Sequence, residues 1–231
     1  MKLPFATRLH RLKGILWDLD NTLYQESEAL HDAFDHAIAR AAIEHGASLT
    51  VEEAMAVAKR SFLEHGYGGR VFIDTMGIDP RKLHFSLHPL VDEKIIIVHE
   101  GLAGDIRSLS LHHVVVTHGA RDWALRVLAH LGLTPLFPHD RVHTLEDFDF
   151  HKKGVSRVPF ETGLASLGLQ PDEAIVIEDQ ERNLRIPHEM GMGTVLLDYG
   201  RRDRKAADFV DLVCHDVHDF IRHIRQARSG H

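Results

Sequence analysis

The sequence predicts an α/β fold: a doubly wound parallel sheet with an all-helical segment inserted after its first strand. Three observations carry this. Short apolar runs recur at 13–17, 113–117, 174–177 and 194–197, each continuous enough for a strand buried on both faces. After Leu102 these runs alternate with helical stretches, the grammar of parallel strands joined by crossover helices. The first run has the same character as the others but is separated from them by a block of purely helical periodicity.

In chain order, Lys13 to Trp17 is the first strand. From Ser27 to about His65 the pattern is helical, with Ala29, Leu30, Ala33, Phe34, Ala37, Ile38 and Ala41 at three- and four-residue steps. Gly46 stops the first helix, and Thr50 with Glu53 supplies the capping box of the second. Beyond the Gly66-Tyr67-Gly68-Gly69 break, two short helices are expected, near Arg70 to Met76 and from Asp79 to His88 with Pro80 at the first position. Then follow the strand His113 to Thr117, a helix from Asp122 to Leu131, a short strand at Arg141 to His143, and a helix from Pro159 to Leu167 closed by Gly168. The strands Ala174–Ile177, Thr194–Leu197 and Phe209–Val213 complete the sheet, and Pro187 should shorten or kink the helix after Asn183. The boundaries that result are a core of residues 1–23 plus 101–231 and an inserted helical block of residues 24–100.

Composition narrows the function classes. With 231 residues, 44% of them hydrophobic, the chain can bury a substantial core. A formal charge of −7 gives no basic footprint for a nucleic-acid polymer. The single cysteine, Cys214, reads as a small buried strand residue, which fits a reducing compartment. The basic N-terminus lacks the apolar stretch of a signal peptide, and no run is long enough to cross a bilayer, so a cytoplasmic protein without a membrane partner is expected. Twenty histidines are unusual, but His112-His113 and the His31, His36 pair lack zinc-protease spacing. A monomer or homodimer is expected.

Chemistry gathers where apolar runs end. Asp18 and Asp20 close the first strand, two like charges that need a cation or a shared proton, although Asp-x-Asp alone also suits a solvated turn. Thr117-His118-Gly119 closes the second, with a hydroxyl and turn amides that can face an anion. Glu178-Asp179 closes another, and the basic loop His151-Lys152-Lys153-Gly154 lies between. In parallel sheets these ends share one edge, the edge at which open α/β sheets keep their ligands. Asp18 with Glu178 or Asp179 offers hard oxygen ligands suited to Mg²⁺, and Thr117, the adjoining amides and a lysine can neutralise a dianionic phosphate. A carboxylate that attacks a phosphoryl group needs such screening, because both are negative.

Asp18-Leu19-Asp20-Asn21-Thr22, Thr117, a downstream lysine and Glu178-Asp179 resemble the four motifs of the haloacid dehalogenase superfamily, in order and over nearly the whole chain. The resemblance implies a Rossmann-like core with the inserted block as a helical cap, Asp18 as nucleophile forming an aspartyl-phosphate, and Asp20 as general acid/base. It further implies Mg²⁺ held by Asp18, the Asp20 carbonyl, Asp179 and, directly or through water, Glu178. Thr117, His118, Gly119 and Lys153 (or Lys152) would bind phosphate, the distance from Phe150 favouring Lys153. Asp20 favours phosphoryl transfer over dehalogenation, since the dehalogenase branch lacks that second acid. The stretch Trp17 to Tyr24, Tyr67-Gly68, Glu178 to Leu184 and Gly191-Met192 is similar to the pyrimidine 5′-nucleotidase-like branch. Departures from it are His118 in place of Asn, Gly154 in place of Pro, and Gly69-Arg70 in place of threonines. The expectation is a Mg²⁺-dependent phosphomonoesterase for a small phosphorylated substrate, first a pyrimidine nucleoside 5′-monophosphate, with Tyr67 and Arg70 as cap contacts. A phosphosugar phosphatase or mutase and a non-catalytic phospho-ligand-binding protein are the alternatives.

Overall fold

The computed structural model describes residues 8–200 and 205–229; Met1 to Thr7, the start of the basic N-terminal segment, lie outside the described residues. The chain divides into one unit of Met1–Gln25 with Val98–His231 and a second of Glu26–Ile97.

The first unit holds a six-stranded sheet of β1 (Gly14–Trp17), β2 (His112–Val116), β3 (Val142–His143), β4 (Ala174–Glu178), β5 (Gly193–Leu197) and β6 (Leu212–Cys214). All pairs are parallel, in the order β3-β2-β1-β4-β5-β6. The chain runs outward from β1 through β2 to β3, then returns to the other side of β1 and runs outward from β4 to β6. The β1/β4 boundary is therefore the topological switch point, where the crossovers diverge and leave a crevice beyond the strands' carboxyl ends. Ile15, Leu16 and Trp17 have no exposed surface, as the unbroken apolar run requires for a central parallel strand.

The second unit consists of α1 (Glu28–Glu44), α2 (Val51–His65), α3 (Arg70–Met76) and α4 (Pro80–Leu87), with 3₁₀ turns at His88–Leu90 and Glu93–Ile95. Its ends follow local chemistry. Ser27 caps α1 by accepting from the Leu30 amide, Thr50 and Glu53 form the reciprocal box on α2, and Asp79 caps α4 with Pro80 at its first position. Asp35 departs from the simple amphipathic pattern: it lies on the buried face of α1 with Ala37, Ile38 and Ala41.

The first unit adds α5 (Leu102–Ser108), α6 (Arg121–His130), α7 (Val158–Leu167), α8 (Arg185–Met190) and α9 (Val217–Ser229). On one sheet face Phe160 and Leu164 of α7 pack with Leu16, Val114, Val116 and Val176. Gly163 permits this approach, since a Cβ there would stand 2.8 Å from a Leu16 methyl and 2.9 Å from a Val116 methyl. On the other face Trp17 meets Phe220 of α9 edge-on, with centroids 5.8 Å apart, and its Nε1 donates to His113 Nδ1 at 3.2 Å.

Four elements differ from expectation. The last strand pairs over Leu212–Cys214 rather than 209–213, because the Thr194 hydroxyl donates to the Phe209 carbonyl (2.6 Å) and the Asp211 carboxylate accepts the Thr194 amide (3.1 Å) ahead of the ladder. Instead of one helix after Asn183 there is a 3₁₀ turn, Glu181–Leu184, and then α8, which places Pro187 in the first turn of α8, where no intrahelical donor is needed. Helices α5 and α9 have no counterpart in the expected element order.

Candidate active site

Asp18 follows β1 directly, and its amide extends the ladder by donating to the Ile177 carbonyl at 3.0 Å. The chain then turns tightly: the Thr22 and Leu23 amides both donate to the Leu19 carbonyl, and Asn21 takes a left-handed φ of 56°, a conformation Asn tolerates better than most residues. This turn sends three side chains back to the acids. Thr22 Oγ1 donates to Asp18 Oδ2 (3.1 Å), Asn21 Nδ2 to Asp179 Oδ2 (2.9 Å) and the Tyr24 hydroxyl to Asp20 Oδ1 (2.7 Å).

Glu178, the last residue of β4, is buried and held by two donors, Asn183 Nδ2 at 2.9 Å and the Gln180 amide at 3.0 Å. Between Asp18 and Glu178 lies the ammonium group of Lys153, a residue only 2% exposed; it reaches Asp18 Oδ1 at 2.5 Å, pairs with Glu178 Oε1 and also donates to the Val116 carbonyl at 3.2 Å. The loop that delivers it is anchored by buried Phe148 and reversed by two consecutive left-handed residues, Asp149 and Phe150. The Lys153 amide donates to His118 Nε2 at 2.9 Å, while Lys152 is exposed. The geometry thus separates the two lysines that spacing alone left open.

Thr117, the first residue beyond β2, is fully buried; its hydroxyl lies 3.4 Å from Asp20 Oδ2 and accepts the Gly119 amide at 2.9 Å. Trp123, on α6, donates its indole N–H to Asp20 Oδ1 at 2.7 Å. Within the first unit Lys153 thus links Asp18, Glu178 and His118, while Asp20, Thr117 and Gly119 form a second hydrogen-bonded set and Asp179 is held by Asn21. Tyr67 and Arg70 belong to the second unit: burial pushes the Tyr67 phenol up to about 12, and Arg70 pairs with Asp74 on the surface of α3.

The electrostatics follow from burial. Desolvation, reinforced by Glu178, raises Asp18 against the pull of Lys153, and desolvation raises Asp20 against the hydrogen bonds of Trp123 and Tyr24. Burial opposes the charge of Lys153, but Asp18 and Glu178 outweigh it and keep the ammonium form above the ordinary lysine range. Asp18 and Glu178 thus share the Lys153 ammonium, and Asp179 adds a third acid beside them. Oxygen atoms of Asp18, Glu178 and Asp179 lie within 4.8 Å of one another, an all-oxygen, anionic donor set that fits a hard divalent cation. A second cluster, Cys214, Asp219 and His223, also has its potential ligand atoms within 4.8 Å. There Asp219 already accepts from the His215 amide and Arg222, and His223 Nδ1 meets the Asp219 carbonyl at 2.9 Å.

The roles of Tyr24 and Trp123 were not legible from residue type. Tyr24 stands at the end of the first motif, whereas Trp123 reads only as an apolar helix position. No signal in the sequence ties it to Asp20, 103 residues away.

A family model described as haloacid dehalogenase-like hydrolase matches residues 12–191. The chain belongs to this family. It is 25% identical to a glyceraldehyde 3-phosphate phosphatase of Methanocaldococcus jannaschii, over 94% of this chain and 99% of that protein. It is 24% identical to a phosphoglycolate phosphatase of Rhodospirillum rubrum, over 81% and 80% of the two chains. The fold matches a haloacid dehalogenase-type phosphatase from Thermococcus onnurineus with a TM-score of 0.64 at 18% identity, covering 95% of this chain and 99% of the other.

Proposed function

We propose that this haloacid dehalogenase-like hydrolase is a Mg²⁺-dependent phosphomonoesterase whose substrate is a small phosphorylated carbohydrate or hydroxy acid. One observation carries the catalytic part: buried Lys153 pairs with Asp18 beside Glu178, while Asp20, two residues on, is held by a separate set of donors. Two neighbouring aspartates are thereby given different environments, as a nucleophile and a proton carrier require.

In this mechanism an Asp18 carboxylate oxygen attacks phosphorus, and the bond to the leaving oxygen breaks as Asp20 gives that oxygen its proton. The aspartyl-phosphate is then hydrolysed when Asp20, now ionised, takes a proton from the attacking water. Lys153 offsets the negative charge that Asp18 and the phosphoryl group bring together, and Thr117 with the His118-Gly119 turn receives the phosphoryl oxygens. Asp18, Asp179, the Asp20 carbonyl and, directly or through water, Glu178 would hold Mg²⁺; when bound, the ion supplies charge neutralisation for a dianionic phosphate. The helical second unit would be the cap that selects the leaving group, with Tyr67 and Arg70 as candidate contacts.

The nucleotide expectation loses ground to the phosphosugar alternative. Two relatives act, by their names, on a phosphorylated triose and on phosphoglycolate, and neither name is that of a nucleotidase. The test is phosphate release with Mg²⁺ from glyceraldehyde 3-phosphate, phosphoglycolate, hexose phosphates and nucleoside 5′-monophosphates, ranked by kcat/KM. Small phosphates should lead; a nucleotide-led ranking overturns the substrate assignment. Sugar-phosphate isomerisation without phosphate release would make the protein a mutase.

A further inference from the structure

Asp20 accepts two short hydrogen bonds on the same oxygen. The Tyr24 hydroxyl and the Trp123 indole N–H both donate to Oδ1 at 2.7 Å, one from the turn after β1 and the other from the first turn of α6. Both side chains are buried, so neither donor is free to swing away. Arg126 lies over the Trp123 ring, 5.3 Å from its centroid, and adds a further contact to the indole.

A carboxylate oxygen has two in-plane lone-pair directions. With both taken by donors, Oδ1 has none left for a proton, whereas Oδ2 has only the long 3.4 Å approach of the Thr117 hydroxyl. Space is also kept on that side: a Cβ at Gly119 would stand 3.2 Å from Oδ2 and 3.0 Å from the Trp123 ring. We propose that Trp123 and Tyr24 are the positioning residues of the acid/base, which saturate Oδ1 and so make Oδ2 the oxygen that passes the proton. In the first half-reaction the Oδ2–H bond breaks as the leaving oxygen takes the proton and its bond to phosphorus breaks. In the second, Oδ2 accepts a proton from the water that attacks the aspartyl-phosphate, and the Asp18–phosphorus bond breaks. Through both, the donors on Oδ1 hold the carboxyl plane and keep Oδ2 aimed. This rests on the assignment of Asp20 proposed above.

The discriminating measurement is leaving-group dependence, because a poor leaving group needs the proton and a good one does not. Trp123→Phe and Tyr24→Phe would be compared with the unaltered protein on an alkyl phosphate and on p-nitrophenyl phosphate, with kcat/KM reporting the first half-reaction. Each variant is expected to lose about ten- to a hundredfold on the alkyl ester, and at least about tenfold less on the aryl ester. Tyr24→Phe is nearly isosteric and keeps the test available if Trp123→Phe fails to fold. Equal losses on the two esters, or no loss on either, overturn the proposal. Asp20→Asn separates this from the parent assignment: selective loss in Asp20→Asn with uniform loss in the other two leaves Asp20 as the acid and removes only its positioning. No selectivity in Asp20→Asn removes both.

Discussion

Lys153 joins two acids brought from different strands, and its removal would leave Asp18 and Glu178 buried side by side without a counter-charge. Lys153→Met should therefore destabilise the protein by on the order of 3 kcal/mol in urea titrations, most of it the penalty of uncompensated charge rather than the worth of the pair. Asp18→Asn is a milder structural change, because the amide keeps the shape: its oxygen can still accept from Lys153, and its NH2 can donate to the Thr22 hydroxyl oxygen. It should fold normally and abolish Mg²⁺-dependent release of phosphate from an aryl ester; retained turnover would exclude Asp18 as nucleophile. The acids themselves were visible in the sequence, since three apolar runs each end in polar groups and parallel strands bring those ends to one edge of the sheet. The choice of Lys153 over Lys152 depended on a loop reversal at Asp149-Phe150 that no residue type announces.

At the scale of elements, helix ends were legible wherever one side chain satisfies the first amides, as at Thr50-Glu53 and Asp79-Pro80. Elements that depend on distant partners were not, and β6 is the clearest instance, its start set by Thr194 and Asp211 rather than by apolar periodicity. Helix α7 illustrates what packing adds: Gly163 is unfavourable for a helix interior, yet it sits where Leu16 and Val116 come closest. Gly163→Ala, which would help an isolated helix, should here cost about 1–3 kcal/mol by forcing α7 off the sheet. A thermal midpoint equal to or above that of the unaltered protein would show that the close approach carries no energetic weight.

For the molecule as a whole, the acid limb of stability involves His113, one of twenty histidines, which opposes folding as pH falls. Burial, with a smaller push from His112, holds His113 down to about 4, while its Nδ1 accepts from Trp17 under the sheet. Between pH 6.5 and 4 the unfolded chain then binds a proton that the folded chain does not, so stability is full above 6.5 and falls as pH drops. From pH 7.5 to 5 this group should remove about 2 kcal/mol. In His113→Gln that component is absent, so the stability gap between the two proteins should narrow by the same amount, as read from urea midpoints at the two pH values. A gap independent of pH would place the histidine in contact with solvent.

The sequence by itself determined the parallel α/β core, the interrupting helical block and the acids at the strand ends, because each of these is written in local periodicity or in a residue type placed against it. Only the tertiary structure decided which lysine meets Asp18, which donors hold Asp20 and where the outer strand begins. Those depend on contacts between residues up to 135 positions apart, as for Lys153 and Asp18, which the β3-β2-β1-β4-β5-β6 order brings together across the switch point. Hydrogen bonds and ion pairs act over a few ångströms in space, so an indole on one helix and an acid beyond another strand have no relation until the sheet is assembled.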